Sequence, residues 1–200
     1  WNLPETTSQY LGERRKLVSS SIKIINSKIE GYVDFSHSWF LKPLEFVNID
    51  FMSHVDFSKS KLESIAFSGS VLLSEHATRF VGTIFLKDAL FSGVSFKAID
   101  FERAKFYAKA KFDGSNFAYT QFDNCEFYGQ TSFTHARFDG IAFFSDAKFI
   151  NLSDSPGYTS SIDFSNVVFA KGVHFDEAKF EKDICFTWAK FISDSPRFEA

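Results

Sequence analysis

An all-β, four-sided solenoid is the fold class this sequence predicts, on three observations. A Phe or another bulky apolar residue recurs about every five residues; the residue two places before it is small or β-branched; and departures from the five-residue step fall at fixed places. An α-helix turns about 100° per residue, so rings five apart would scatter around it. A flat strand fails as well, because an odd spacing sends alternate rings to opposite faces. Short extended pieces that each end in a corner bring every ring inward, and four such sides per turn stack as a coil.

Residues 1–21 lack the repeat. Pro4 followed by Glu5, then the run QYLGERRKLV, predicts a short amphipathic helix that caps the first turn. The repeat opens faintly at Ile24 and Ile29, and residues 22–200 are assigned to the solenoid. The first side takes Phe35, Phe57, Phe80, Phe101, Phe122, Phe144 and Phe175. The second takes Phe40, Leu62, Phe85, Phe106, Phe127, Phe149 and Phe180. The third takes Phe46, Phe67, Phe91, Phe112, Phe133, Phe164 and Phe186. The fourth takes Phe51, Leu72, Phe96, Phe117, Phe138, Phe169 and Phe191, giving about seven turns, with Phe198 beginning another.

The spacings test this grouping. Every first-to-second and every third-to-fourth step is five residues. The second-to-third step is six in most turns and fifteen at 149–164; the fourth-to-first step is five or six, but eight at 72–80 and seven at 191–198. All irregularity therefore sits at two diagonally opposite corners, with insertions at 73–79 and 150–161. Phe144 is taken as the buried ring over Phe143 because Ala142 then occupies the small position. Two inward side chains on each of four sides cannot all be large in a narrow tube, which explains the small partner of each ring.

Consecutive units such as AKF (104–106, 110–112, 147–149, 178–180, 189–191) and VDF (33–35, 55–57) resemble the pentapeptide repeat family over about residues 22–198. That resemblance implies a right-handed quadrilateral β-helix. The chain departs from the commonest form in placing Phe where Leu is usual and in its recurring six-residue steps. Some members of that family resemble B-DNA in shape and charge and engage DNA gyrase, so the resemblance also implies a topoisomerase as one partner class.

Composition narrows the chemistry. A net charge of −3 argues against a basic nucleic-acid-binding surface, and we expect no direct nucleic-acid contact. No apolar run reaches the eighteen or so residues of a membrane span. Two distant cysteines do not make a disulfide scaffold, which points to a cytoplasmic location. The chain begins at Trp1, and we expect it to be part of a longer protein, a soluble domain of a membrane-tethered one being an alternative.

Function in a solenoid sits on the outward positions beside each ring. The first side carries Asp34, Asp56, Asp100, Glu102, Asp123 and Asp176, an acidic stripe interrupted by Arg79 and His174. This stripe is either a solvated face or an imitation of the DNA phosphate backbone. The second side carries Trp39, Leu41, Ile84, Leu86, Tyr107, Tyr128 and Ile150, interleaved with Lys61, Lys105, Lys148 and Lys179. An exposed apolar and basic ladder of this kind is a partner-binding candidate. The larger insertion, with Ser153, Asp154, Pro156, Gly157 and Tyr158, predicts a projecting polar loop with a Pro-Gly turn.

Catalytic signals are nearly absent. The five histidines fall on scattered turns without metal-ligand spacing, and neither a phosphate-cradling Gly loop nor a nucleophile elbow occurs. No enzyme activity, metal or cofactor is expected. The expected role is a scaffold that binds a protein partner through an outer face, a corner loop or an end, with homodimerisation by end stacking as one mode.

Overall fold

The computed structural model describes residues 5–7, 14–150 and 162–199. Its N-terminal segment forms β1 (Glu5–Thr7) and β2 (Arg14–Val18), paired antiparallel. There follow β3 (Ile22–Ile29), β4 (Val33–Asp34), β5 (Ser38–Phe40) and β6 (Leu44–Phe51). Beyond these, each turn lays one short strand on each of four sides, and strands of the same side pair in parallel with those of the turns before and after. The first side is a seven-stranded sheet and the second a nine-stranded sheet; the third and fourth join as fourteen strands because β3 and β6 run unbroken round their shared corner. Among the described residues no helix is long and apolar enough to cross a membrane.

The expected N-terminal helix is corrected where it can be seen. Arg14–Val18 is a strand, in parallel register with β5 through Lys16 to Ser38, Leu17 to Trp39 and Val18 to Phe40. The physical reason is the open sheet edge. A helix of a few residues is marginal alone, whereas β2 satisfies edge groups such as the Leu41 N–H, which donates to the Val18 carbonyl at 2.9 Å. The segment still covers the second side's first turn. Residues 8–13 of that expected helix lie outside the described residues.

The ring assignment holds side by side. On the second side Leu62 aligns with Phe85, Phe85 with Phe106, Phe106 with Phe127, and Phe127 with Phe149. In-register stacking puts Phe85, Phe106, Phe127 and Phe149 face to face at 4.6, 4.8 and 4.7 Å. Across the lumen the rings meet edge-on, as Phe101 and Phe112 do at 5.6 Å and 78°. Both geometries suit the aromatic quadrupole. The rings assigned to the four sides from Phe40 to Phe175 are buried, while Phe35 at one end and Phe180, Phe186 and Phe191 at the other are only partly so.

The invariant five-residue steps have a cause. At most first-to-second and third-to-fourth corners the ring residue's carbonyl accepts the N–H three residues on, as Phe101 does from Ala104 at 2.8 Å and Phe122 from Cys125 at 3.2 Å, while at Phe35, Phe46 and Phe91 that N–H donates to a serine hydroxyl of the next turn. The residue before that donor is left-handed, for example Arg103, Asn124 and His135, with φ of 58°, 58° and 59°. Among the described residues every positive φ belongs to one of these two corners. The other two corners lack this tight turn, so their length is free to vary. Buried hydroxyls stitch the tight corners together: Ser60 Oγ donates to the Phe35 carbonyl at 2.5 Å and accepts the Ser38 N–H at 3.0 Å.

Candidate interaction surfaces

Parallel in-register pairing turns every outward position into a column spaced by one strand separation. On the second side this stacks Tyr107 on Tyr128 at 4.8 Å with planes 2° apart. Tyr107 is exposed, as are Leu41 and Leu86, while Trp39, Ile84, Tyr128 and Ile150 are half-buried. Lys61 lies over the Trp39 ring at 4.7 Å.

Glu126 links the middle of this ladder. Its carboxylate meets Lys105 Nζ at 2.8 Å and Lys148 Nζ at 3.7 Å, and the Tyr128 hydroxyl donates to it at 2.6 Å. Burial works against ionisation of Glu126, but the hydrogen bonds from Lys105 and Tyr128 outweigh it and hold the carboxyl below its usual range. The same contact raises the Lys105 ammonium and the Tyr128 phenol. Sequence reading named both lysines and both tyrosines but not Glu126, which aligns with Lys105 and Lys148 only once register is known.

The acidic residues resolve into two columns. Asp34, Asp56 and Asp100 precede the first-side rings, and Glu102, Asp123 and Asp176 follow them. Arg79 aligns between Asp56 and Asp100, its guanidinium 3.9 Å from Asp56. Lys16 lies 3.6 Å from Asp34, and Arg197 lies 3.9 Å from Asp176. In the middle stretch Asp100, Glu102 and Asp123 interact with one another, and Glu102 also meets the Arg103 guanidinium at 3.3 Å. Burial first, and the like charge of Glu102 among the rest, pushes the Asp100 and Asp123 carboxyls up. Both also act locally: Asp100 Oδ1 accepts the Glu102 N–H at 2.9 Å, and Asp123 Oδ1 the Ser145 N–H at 2.8 Å.

Ser153, Asp154, Pro156, Gly157 and Tyr158 lie outside the described residues. The smaller insertion is described, and it brings two of the five histidines together. At the fourth-to-first corner Tyr32 stacks on His54 at 4.2 Å, and His54 meets His76 edge-on at 5.5 Å. Next to them a groove opens, lined by Glu75, Ala77, Lys97, Ala98, Ala118 and Tyr119. Among the described residues no cluster of His, Cys, Asp and Glu is arranged to hold a metal. Both cysteines are free: Cys125 is buried, which drives its thiol well up, and Cys185 is half-buried between the hydroxyls of Ser165 and Thr187.

Comparison with known proteins bears on the repeats. Residues 112–153 match a family model described as pentapeptide repeats (9 copies). No curated protein matches the chain at a significant level. Among solved structures the chain is similar to QnrB1, described as a plasmid-mediated fluoroquinolone resistance protein, at 14% identity over 85% of this chain and 91% of that one, with a TM-score of 0.38. It is also similar to HetL, described as a pentapeptide repeat protein involved in heterocyst differentiation regulation from the cyanobacterium Nostoc sp. strain PCC 7120. That likeness has 12% identity over 86% of each chain and a TM-score of 0.28.

Proposed function

We propose that this chain, a pentapeptide-repeat solenoid, is a non-enzymatic scaffold that holds a protein partner against its second side. The observation that carries this reading is the Tyr107–Tyr128 stack set within the Lys105–Glu126–Lys148 bridge. Aromatic groups are preferred at interfaces when they are pre-ordered and rimmed by charge. Here both rings are already held, so a partner meets them with little ordering cost. A photo-crosslinking amino acid placed at Tyr107, with the same group at Ser92 on the third side as control, tests the reading. A defined adduct specific to position 107 supports it, and indistinguishable adducts from both positions overturn it.

Self-association is a further part of the proposal. Phe180, Phe186 and Phe191 are only partly covered, and Trp188, Ile192 and Phe198 are exposed at the same end. A second copy stacked end to end would bury these rings and pair the sheet edges. Sedimentation velocity showing only monomer at tens of micromolar would remove the dimer.

A second reading rests on Asp100, Glu102 and Asp123, grouped midway along the first side. In it the acidic side imitates a phosphate backbone and engages a DNA topoisomerase. A supercoiling assay with gyrase that is unchanged at micromolar protein sinks this reading.

A further inference from the structure

The corner between the fourth and first sides carries an aromatic column that breaks at one turn. Along the coil it reads Tyr32, His54 and His76, then Ala98, then Tyr119. The first three rings contact one another in sequence. Ala98 offers only a methyl group where the next ring would lie. The break is a groove of about 390 Å³, within the lower part of the size range of small-ligand sites. Turns are about 4.8 Å apart, so the insertion's turn and the turn of Tyr119 are separated by about 9.6 Å. That distance admits one planar ring. Within this same molecule, Tyr107 and Tyr128 on successive turns stack at 4.8 Å, the separation an inserted ring would adopt against Tyr119. Tyr119 is 46% exposed, and among the described residues no ring lies on it.

Charge decides which aromatic group fits. The one cation lining the groove, Lys97, is paired with Glu75. Immediately beyond Ala98 and Tyr119, on the first side, stand Asp100, Glu102 and Asp123, with Arg79 aligned on Asp100 and Arg103 3.3 Å from Glu102, so the carboxylates outnumber the guanidiniums and the local balance is negative. An anionic ring such as a nucleotide base with its phosphate would meet repulsion there, whereas a ring with a neighbouring cation would be attracted. We propose that this groove receives an aromatic side chain of a partner polypeptide that carries a Lys or Arg beside it, the ring lying on Tyr119 and over the methyls of Ala98 and Ala118, the cation facing Asp100 and Asp123. This site is separate from the second side, so either can fail alone.

The test follows alanine methyl resonances by NMR while N-acetyl-Trp-Lys-amide is added to the full chain. Saturable ring-current shifts at Ala98 and Ala118 are expected, with N-acetyl-Trp-Glu-amide binding about fivefold more weakly or less. Ala98→Phe fills the gap with the chain's own ring and should abolish the shift at Ala118. Tyr119→Ser, at an exposed position, should weaken binding about fivefold while thermal melting stays unchanged. The proposal is overturned if neither methyl shifts at millimolar peptide, if Tyr119→Ser binds as wild type, or if adenosine monophosphate binds as well as the cationic peptide.

Discussion

Truncating Phe112 to Ala removes a ring from the middle of the rod, where nothing can relax to fill its place. Phe112 is fully buried, stacked between Phe91 at 5.3 Å and Phe133 at 4.7 Å, and met edge-on by Phe101, Phe106 and Phe122. A Phe buries on the order of 200 Å². At about 25 cal/mol per Å², the part lost on truncation is worth about 3 kcal/mol. The residual cavity and the lost stacking raise the total towards about 5 kcal/mol. Phe186→Ala provides the internal comparison. Phe186 is only partly buried and stacks on Phe164 alone, at 5.3 Å, with no ring on its other face among the described residues. Its loss should cost about 1–2 kcal/mol, since part of its surface is already wet. Urea unfolding, with m-values compared to confirm one cooperative unit, measures both. Costs that agree within about 0.5 kcal/mol would refute the picture of a dry, interlocked lumen whose energetics grade towards the end.

Ala110 is fully buried in register between Ala89 and Thr131, so Ala110→Leu should overpack that layer and cost about 1–3 kcal/mol in the same assay. Gly114 has φ +64° with open space around its Cα, so Gly114→Val should cost about 1–2 kcal/mol through the backbone alone, whereas Gly129→Ala should be costly by collision, its Cβ falling 2.1 Å from the Ala108 carbonyl oxygen. Thermal melts separate these causes, because Gly114→Asn should recover most of the loss and no residue with a Cβ should do so at Gly129. Asp100 has a raised carboxyl pKa in the folded chain, so its ionised form is penalised there; the penalty is absent below the unfolded value of about 3.9 and grows as pH rises through the folded value. Asp100→Asn should therefore raise Tm at pH 7 and leave it unchanged near pH 3, and equal shifts at both pH values would refute the assignment.

The interior was legible because a buried ring has one position per side and its neighbours confirm it. Phe144 shows this: it is fully buried and stacks on Phe122 at 4.9 Å, while Phe143 lies outside against His174. Arg14–Val18 was illegible because its sequence alone does not reveal an unpaired sheet edge awaiting a strand. The Tyr32, His54 and His76 column escaped for another reason. His76 stands four places before its ring and His54 three, since the insertion changes the step, so no fixed period connects them. The stack of Tyr107 on Tyr128 was readable in position because both adjoin a ring of fixed register, but the bridge through Glu126 needed the geometry.

The tight turns at two diagonal corners have a consequence for how such a rod can change. The step from Phe149 to Phe164 is fifteen residues where most steps at that corner are six, yet Phe164 stacks on Phe133 at 4.8 Å and 5°, as if nothing had been inserted. The core is thus blind to what is spliced in at the permissive corners. Foreign segments could be displayed there, or whole turns added, with only the slowly growing entropy of loop closure to oppose them. Binding specificity in this architecture can drift along two edges while the packed interior is copied unchanged.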